Sequence, residues 1–372
     1  MKKRSKTAAI LAATMLVSSM LCSTAFAANN NNDAKAGKVD VNNYGDFNEV
    51  IGVGASIFDA GNYNIAYANN VSASNGDVGN YFNYNDVLAI GARVETSINN
   101  NTAKISDGTS AGDVTAINMG AGLANMRNQV TAIGAQILDS GNRNQANMVG
   151  PVTASNYGDL SDVKAIGASV MGSGNDNAAL IGSSWGAVTA SNHGDGIEVY
   201  KKGKLTDEGK NYVFALGAGI SESGNNNMAK LQTYVKAANW GTYGNDISAI
   251  GALISGSGNN NNAYAHSVWA QVFPSGNSTI DGFRGDFHDN NLLGVGAQII
   301  GSGSNNNAHA YTVQNYVGGF GNNVTAIGAQ IINSGNFNSA ISDAVSAKSV
   351  GNNNIVSAIG AQIGRTLAEK AE

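Results

Sequence analysis

Histidine is the side chain best suited to proton transfer near neutral pH, and the chain has four: His193, His266, His288 and His309. They sit at unrelated places in the sequence. No Ser, Cys or Asp beside them is framed by a nucleophile motif, and no Cys/His spacing matches a zinc site. A surface or packing role is expected for each, with no catalytic, cofactor-binding or metal-binding residue. Asp77, Asp159, Asp162 and Asp195 lie near Gly-rich segments. Stacked carboxylates and carbonyls there would suit Ca2+, but the glycine-rich nonapeptide of calcium-binding solenoids is absent. Solvated turn polars are the plainer expectation. Arg284-Gly285-Asp286 spells an adhesion-type tripeptide, which is short enough to recur by chance. Trp185, Trp240 and Trp269 could offer sugar-stacking rings, although filling the core near insertions is the simpler role.

Composition narrows the setting. Residues 1–6 carry Lys2, Lys3, Arg4 and Lys6, an apolar run follows to Leu21, and Ala25-Phe26-Ala27 supplies small residues for cleavage. Residues 1–27 therefore read as a secretory signal peptide, with an apolar run too short for a membrane span. The single cysteine, Cys22, falls inside it, so the secreted chain is expected to fold without disulfides. Leu21 before Cys22 is too bulky for the usual lipid-attachment pattern. Without the four basic residues of the leader, 17 Lys and Arg of the 21 remain against 26 Asp and Glu, a net charge of −9. That balance argues against nucleic acid and anionic membranes as partners. Charged residues make up 13% of the chain and prolines number two, a composition suited to close stacking of backbone.

The positions left over are dominated by a repeat. Residues 132–164, AIGAQILDSGNRNQANMVGPVTASNYGDLSDVK, state it most cleanly. Its Gly-Ala pair recurs with Gly at 54, 91, 134, 167, 217, 251, 296, 328 and 360, and a weaker copy stands at Gly120. The intervals are 37, 43, 33, 50, 34, 45, 32 and 32 residues, so the unit is read as the shortest of these and the longer ones as that unit plus insertions. Insertions are placed near 100–130, at 196–211 (a solvent-exposed hairpin with Lys201, Lys202, Lys204 and Lys210) and at 274–291. Residues 28–48 read as a polar, poorly ordered linker, 49–364 as the repeat domain, and 365–372 as a charged, helix-prone tail.

Within each unit the apolar period is two, the period of a strand. Ile133, Ala135 and Ile137 are assigned to one face, as are Ile166, Ala168 and Val170. Ser140-Gly141-Asn142-Arg143-Asn144 reads as a turn, since Gly and Asn tolerate positive φ. The second half, with Ala146, Met148, Val152 and Ala154 sharing parity, calls for a bulge or corner. Asn156-Tyr157-Gly158-Asp159 reads as the second turn. The expected fold is all-β, a β-solenoid of about nine stacked strand-turn-strand-turn coils. The central alanines keep its core narrow, and Asn residues at like positions hydrogen-bond from coil to coil. At roughly 4.8 Å per coil the rod would be about 40 Å long.

The phrases at 136–146, 298–308 and 330–340, each running from Gln through Ser-Gly to Asn and Ala, resemble the curlin-type repeat of secreted amyloid fibre subunits. The unit here is longer than the family's, its insertions are larger, and the family's Gln at the end of the second strand is mostly missing. The resemblance implies secretion, end-to-end self-association and a role in a biofilm matrix. The expected function is a secreted, non-enzymatic subunit of a curli-like fibre or surface matrix, assembled as a homopolymer through its end coils, with residues 365–372 shielding one end until polymerisation. The alternative is a monomeric adhesin or carbohydrate-binding surface protein that contacts a cell surface or matrix polysaccharide. Solenoid enzymes that act on acidic polysaccharides would need clustered Asp, Arg or Lys on one sheet face, where these repeats place Gly, Gln and Ser. An ice-binding surface would need a regular Thr-x-Thr array.

Overall fold

The computed structural model describes residues 31–44, 49–76, 85–105, 112–119, 128–158, 161–182, 186–193, 200–201, 204–205, 211–240, 245–272, 290–318, 322–350 and 354–364. Among them the strands run, in chain order, β1 (Asp33–Asn43), β2 (Glu49–Phe58), β3 (Ile65–Asn75), β4 (Asp86–Glu95), β5 (Thr102–Ile105), β6 (Val114–Asn118), β7 (Asn128–Leu138), β8 (Gln145–Met148) and β9 (Val152–Asn156). They continue with β10 (Ser161–Met171), β11 (Ala178–Ile181), β12 (Ala187–Asn192), β13 (Tyr200–Lys201), β14 (Lys204–Leu205), β15 (Asn211–Ser221), β16 (Met228–Asn239) and β17 (Asn245–Ser255). The last six are β18 (Asn262–Val272), β19 (Asn291–Ile300), β20 (Asn307–Gly318), β21 (Asn323–Ile332), β22 (Ser339–Val350) and β23 (Ile355–Gly364).

All but β13 and β14 of these strands form two parallel sheets. One has nine strands in the order β2-β4-β7-β10-β15-β17-β19-β21-β23, and the nine Gly-Ala pairs fall one to each. The other has twelve strands, because β5 with β6, β8 with β9, and β11 with β12 each share one layer. Each coil therefore takes a strand from the first sheet, turns, and takes a layer from the second. The molecule is a β-solenoid. Like residues pair with like: Ala165 with Ala132, Ile166 with Ile133, Ala168 with Ala135. A single coil could not bury its apolar face, whereas stacked neighbours share one continuous core.

Strand parity breaks where each Gly-Ala pair falls. The partners of β10 and β7 skip Gly167 and Gly134. Before the break Val130 and Ala132 point inward, and after it Ala135 and Ile137 do, all fully buried. Ile133 therefore lies half-buried on the outer side, as do Ile166 and Ile250. The single-face assignment of Ile133, Ala135 and Ile137 is corrected: only the last two face the core. A Cβ on Gly134 would lie 2.4 Å from the Gly167 carbonyl oxygen and 2.7 Å from Met148 Sδ of the facing sheet. Only glycine fits where the strand bends this closely over its neighbours.

In the second sheet Ala146, Met148, Val152 and Ala154 are all buried, and the chain breaks strand between Met148 and Val152. The next coil absorbs three more residues there yet regains register at Val188 opposite Val152. In β16 and β18 the same place is a register shift between Leu231 and Tyr234.

Three segment assignments change. The supposed linker at 28–48 holds β1, which pairs in parallel with β3 from Asp33 opposite Ile65 to Asn43 opposite Asn75. Its alternating Ala34, Ala36, Val39 and Val41 pack on the core, a pattern hidden by the charged residues on the outer face. The insertion near 100–130 is largely an ordinary layer, β5 and β6, with its extra length at 106–111 and 120–127. β4 pairs directly with β7, and the weaker copy at Gly120 lies outside the described residues. In the 196–211 insertion, β13 and β14 pair antiparallel, and Asn211 already begins β15 opposite Asn245. The leader at 1–27, most of the 274–291 insertion including the Arg284-Gly285-Asp286 tripeptide, and the tail at 365–372 lie outside the described residues.

Candidate functional site

Chemistry here is repeated along the rod, beginning with the first turn. Positive φ falls on the residue before the Ser and on the middle residue of Asn-x-Asn, as at Asp139 (46°) and Arg143 (57°). In other coils Gly and Asn fill these two positions, as at Gly172 (62°) and Asn226 (58°), in keeping with a turn built on their tolerance of positive φ. Asn144 has a bridging role. Its backbone N–H and its amide Nδ2 both donate to Asn177 Oδ1, at 3.0 and 3.2 Å, and Nδ2 also donates to the Gly141 carbonyl. Its own Oδ1 accepts from Asn101. This buried ladder runs from Asn32 through Asn64, Asn101, Asn144, Asn177, Asn227, Asn261 and Asn306 to Asn338. A second, more exposed ladder runs through Asn62, Asn99, Asn142, Asn175, Asn225 and Asn259 with the opposite polarity: Asn142 N–H donates back to Asn99 Oδ1 at 2.7 Å. At the second turn Asn118, Asn156, Asn192 and Asn239 are linked the same way, at 2.7–3.0 Å.

Outside the second turn, Tyr157, His193 and Trp240 stack face to face, with centroids 4.5 and 4.3 Å apart and rings within 7° of parallel. Burial between the two larger rings holds the His193 pKa below its ordinary value. Trp269 lies on the outer face of the twelve-stranded sheet, stacked on Tyr234 at 5.1 Å. Neither tryptophan fills the core, which corrects the simpler expectation; Trp185 is outside the described residues.

His266 and His309 come together on that same outer face. His309 is 4.7 Å from Tyr311 and 5.5 Å from Tyr264 between ring centroids, and His266 is 5.5 Å from Tyr311. Desolvation, a hydrogen bond with Tyr311 and nearby negative charge push the Tyr264 phenol up to about 12. His309 Nε2 approaches Asp343 at 3.8 Å. The signal for this cluster was present in sequence: Tyr264-Ala265-His266 and His309-Ala310-Tyr311 are the same motif with its ends exchanged, in successive coils. Asp162 sits on β10 rather than in a turn, and Asp77, Asp159, Asp195 and His288 are outside the described residues. Among the described residues no group of three or more His, Cys, Asp or Glu side chains is placed to hold a metal ion.

The third feature is the pair of rod ends. Among the described residues β1 and β2 pair on one side only, as do β22 and β23. The last coil leaves Ile355 69% and Ile363 55% exposed, with Ile341 and Val350 also open.

The fold and these features define a two-sheeted parallel β-solenoid with ladders of like polar side chains. No family model, no curated protein and no solved structure matches the chain.

Proposed function

We propose that this is a secreted structural protein, a subunit that assembles end to end into an extracellular fibre or surface matrix, as the likeness to curlin-type repeats implies. The observation that carries the reading is the correspondence of the two ends. Following the register from strand to strand places Ala340, Val345 and Ala347 of β22 at the repeat positions of Ala34, Val39 and Val41 of β1, and both sets are partly buried against the core. In the other sheet Ala361 and Ile363 of β23 occupy the positions of Ala55 and Ile57 of β2. The first coil of one copy thus carries the side chains that the last coil of another would accept, and unpaired edges recruit further strands. Purified chain should elongate with concentration and give a meridional reflection near roughly 4.8 Å. Protein that stays monomeric in seeded solution at high concentration would remove this reading.

A second reading, a monomeric adhesin, is favoured by the exposed rings around Trp269. Deleting residues 196–210 and 274–289, which spares Asn211, Asn290 and Asn291 of the rod, together with Tyr311→Ala separates the two: fibre growth should survive, whereas adhesion should not.

A further inference from the structure

The outer face of the twelve-stranded sheet changes character along the rod. In the middle coils one outward column reads Thr115, Thr153, Thr189; the same column continues as Lys236 and Trp269. From β16 onward aromatic rings crowd this face. Tyr234 stacks on Trp269, Tyr264 meets Tyr311 at 5.5 Å, and the Lys230 ammonium stands 5.5 Å from the Tyr264 ring centroid. The strands β16, β18, β20 and β22 carry three lysines and two histidines against one acid, Asp343. The chain as a whole is acidic, so this is a local reversal of sign. At physiological salt, charges beyond about 8 Å are screened, and a ligand on this face meets chiefly the local cations. Trp269 Nε1 and Thr233 Oγ1, both covered by neighbouring atoms, have no hydrogen-bond partner among the described residues.

We propose that the face formed by β16, β18, β20 and β22 binds an acidic polysaccharide, one whose sugar rings bear carboxylates. Aromatic rings present apolar faces to the C–H faces of pyranoses. Lys230 and Lys236 supply cations for the carboxylates beside them. The face lies on the flank of the rod, so binding requires neither fibre growth nor free ends.

The test is affinity electrophoresis of the purified full chain through gels containing polygalacturonate, with dextran as the neutral comparison. Retardation by polygalacturonate, weak in dextran and relieved near about 1 M salt, is expected. Tyr311→Ala and Lys230→Ser should each weaken binding about fivefold. Thr153→Ala, an outward position away from the ring cluster, should leave it unchanged. Circular dichroism and a melting curve confirm that each variant keeps the fold. Equal retardation in dextran overturns the role of charge. No retardation in polygalacturonate, tighter binding of oligothymidylate that displaces the uronan, or full affinity in folded Tyr311→Ala overturns the proposal itself.

Discussion

A single asparagine of the buried ladder carries several duties at once. Asn144 closes its own turn through Gly141, donates to Asn177 and accepts from Asn101. Its side chain is fully covered, so water cannot replace what a truncation removes. Asn144→Ala strands the partner groups on Asn101 and Gly141 and should cost about 1–3 kcal/mol, read as a lower urea midpoint. Asn142→Ala, on the exposed ladder, should cost much less because solvent reaches its partners. His193 makes a different residue-scale prediction. Its folded-state pKa lies below the unfolded value because burial disfavours the imidazolium. Below its ordinary value of 6.5 the unfolded chain binds the proton first, so the stability due to neutral His193 is full above that pH and falls as pH drops through the folded value. Denaturant midpoints taken between about pH 7 and pH 5 should decline, and part of that decline should vanish in His193→Phe, which keeps the stack. An identical decline in the variant would assign the effect to other groups.

At the scale of the element, the coil is the unit of stability, because each pairs only with the coils before and after it. Asn290-Asn291 and Asn322-Asn323 are the same dipeptide at the same repeat position. Removing residues 291–322 therefore deletes one complete coil and leaves the junction chemically unchanged, with β21 taking the place of β19 against β17. That protein should stay folded with a modestly lower melting temperature. Removing half as many residues joins a strand of one sheet to the other sheet's register and should abolish cooperative unfolding. A calorimetric melt of both proteins decides this. The coil was readable in sequence because its period and turn phrases repeat: the two sheets, the corner in the second half and the Asn ladders were all expected. What escaped was any feature whose signal needed three dimensions. The parity break at Gly134 looks like plain alternation until the facing Met148 and the stacked Gly167 carbonyl are in place. Strand β1 was masked by Lys35, Lys38 and Asp40, whose ion pairs lie on the outside. The Tyr-His cluster emerges only when the 45-residue interval from Gly251 to Gly296 is used to set His309 opposite Tyr264, which brings Tyr311 beside it.

At the scale of the whole molecule, the stacked glycines provide a test of assembly that separates folding from growth. Through the body of the rod, a Cβ on each Gly of the Gly-Ala pair would run into the carbonyl oxygen of the Gly one coil further along; at Gly328 the Gly360 oxygen lies 2.5 Å away. Gly134→Ala should therefore destabilise the folded protein by about 1–3 kcal/mol through overpacking. Among the described residues Gly360 has no next coil within its own chain, and a Cβ there would meet none of them within 4 Å. Gly360→Ala should melt like the parent protein. If copies stack in the register of the repeat, however, Gly54 of the incoming molecule takes the place of the missing coil, and its carbonyl would face the new methyl at the distance that excludes one everywhere else in the rod. Seeds of the variant should then extend poorly at their C-terminal end, and variant monomer should add poorly to the N-terminal end of parent seeds, while parent seeds still grow with parent monomer. Thioflavin-monitored elongation beside a melting curve reads both halves. Unimpaired growth by a normally stable Gly360→Ala protein would mean that the ends do not continue the glycine stack, and that any fibre is built from the flanks of the rod instead.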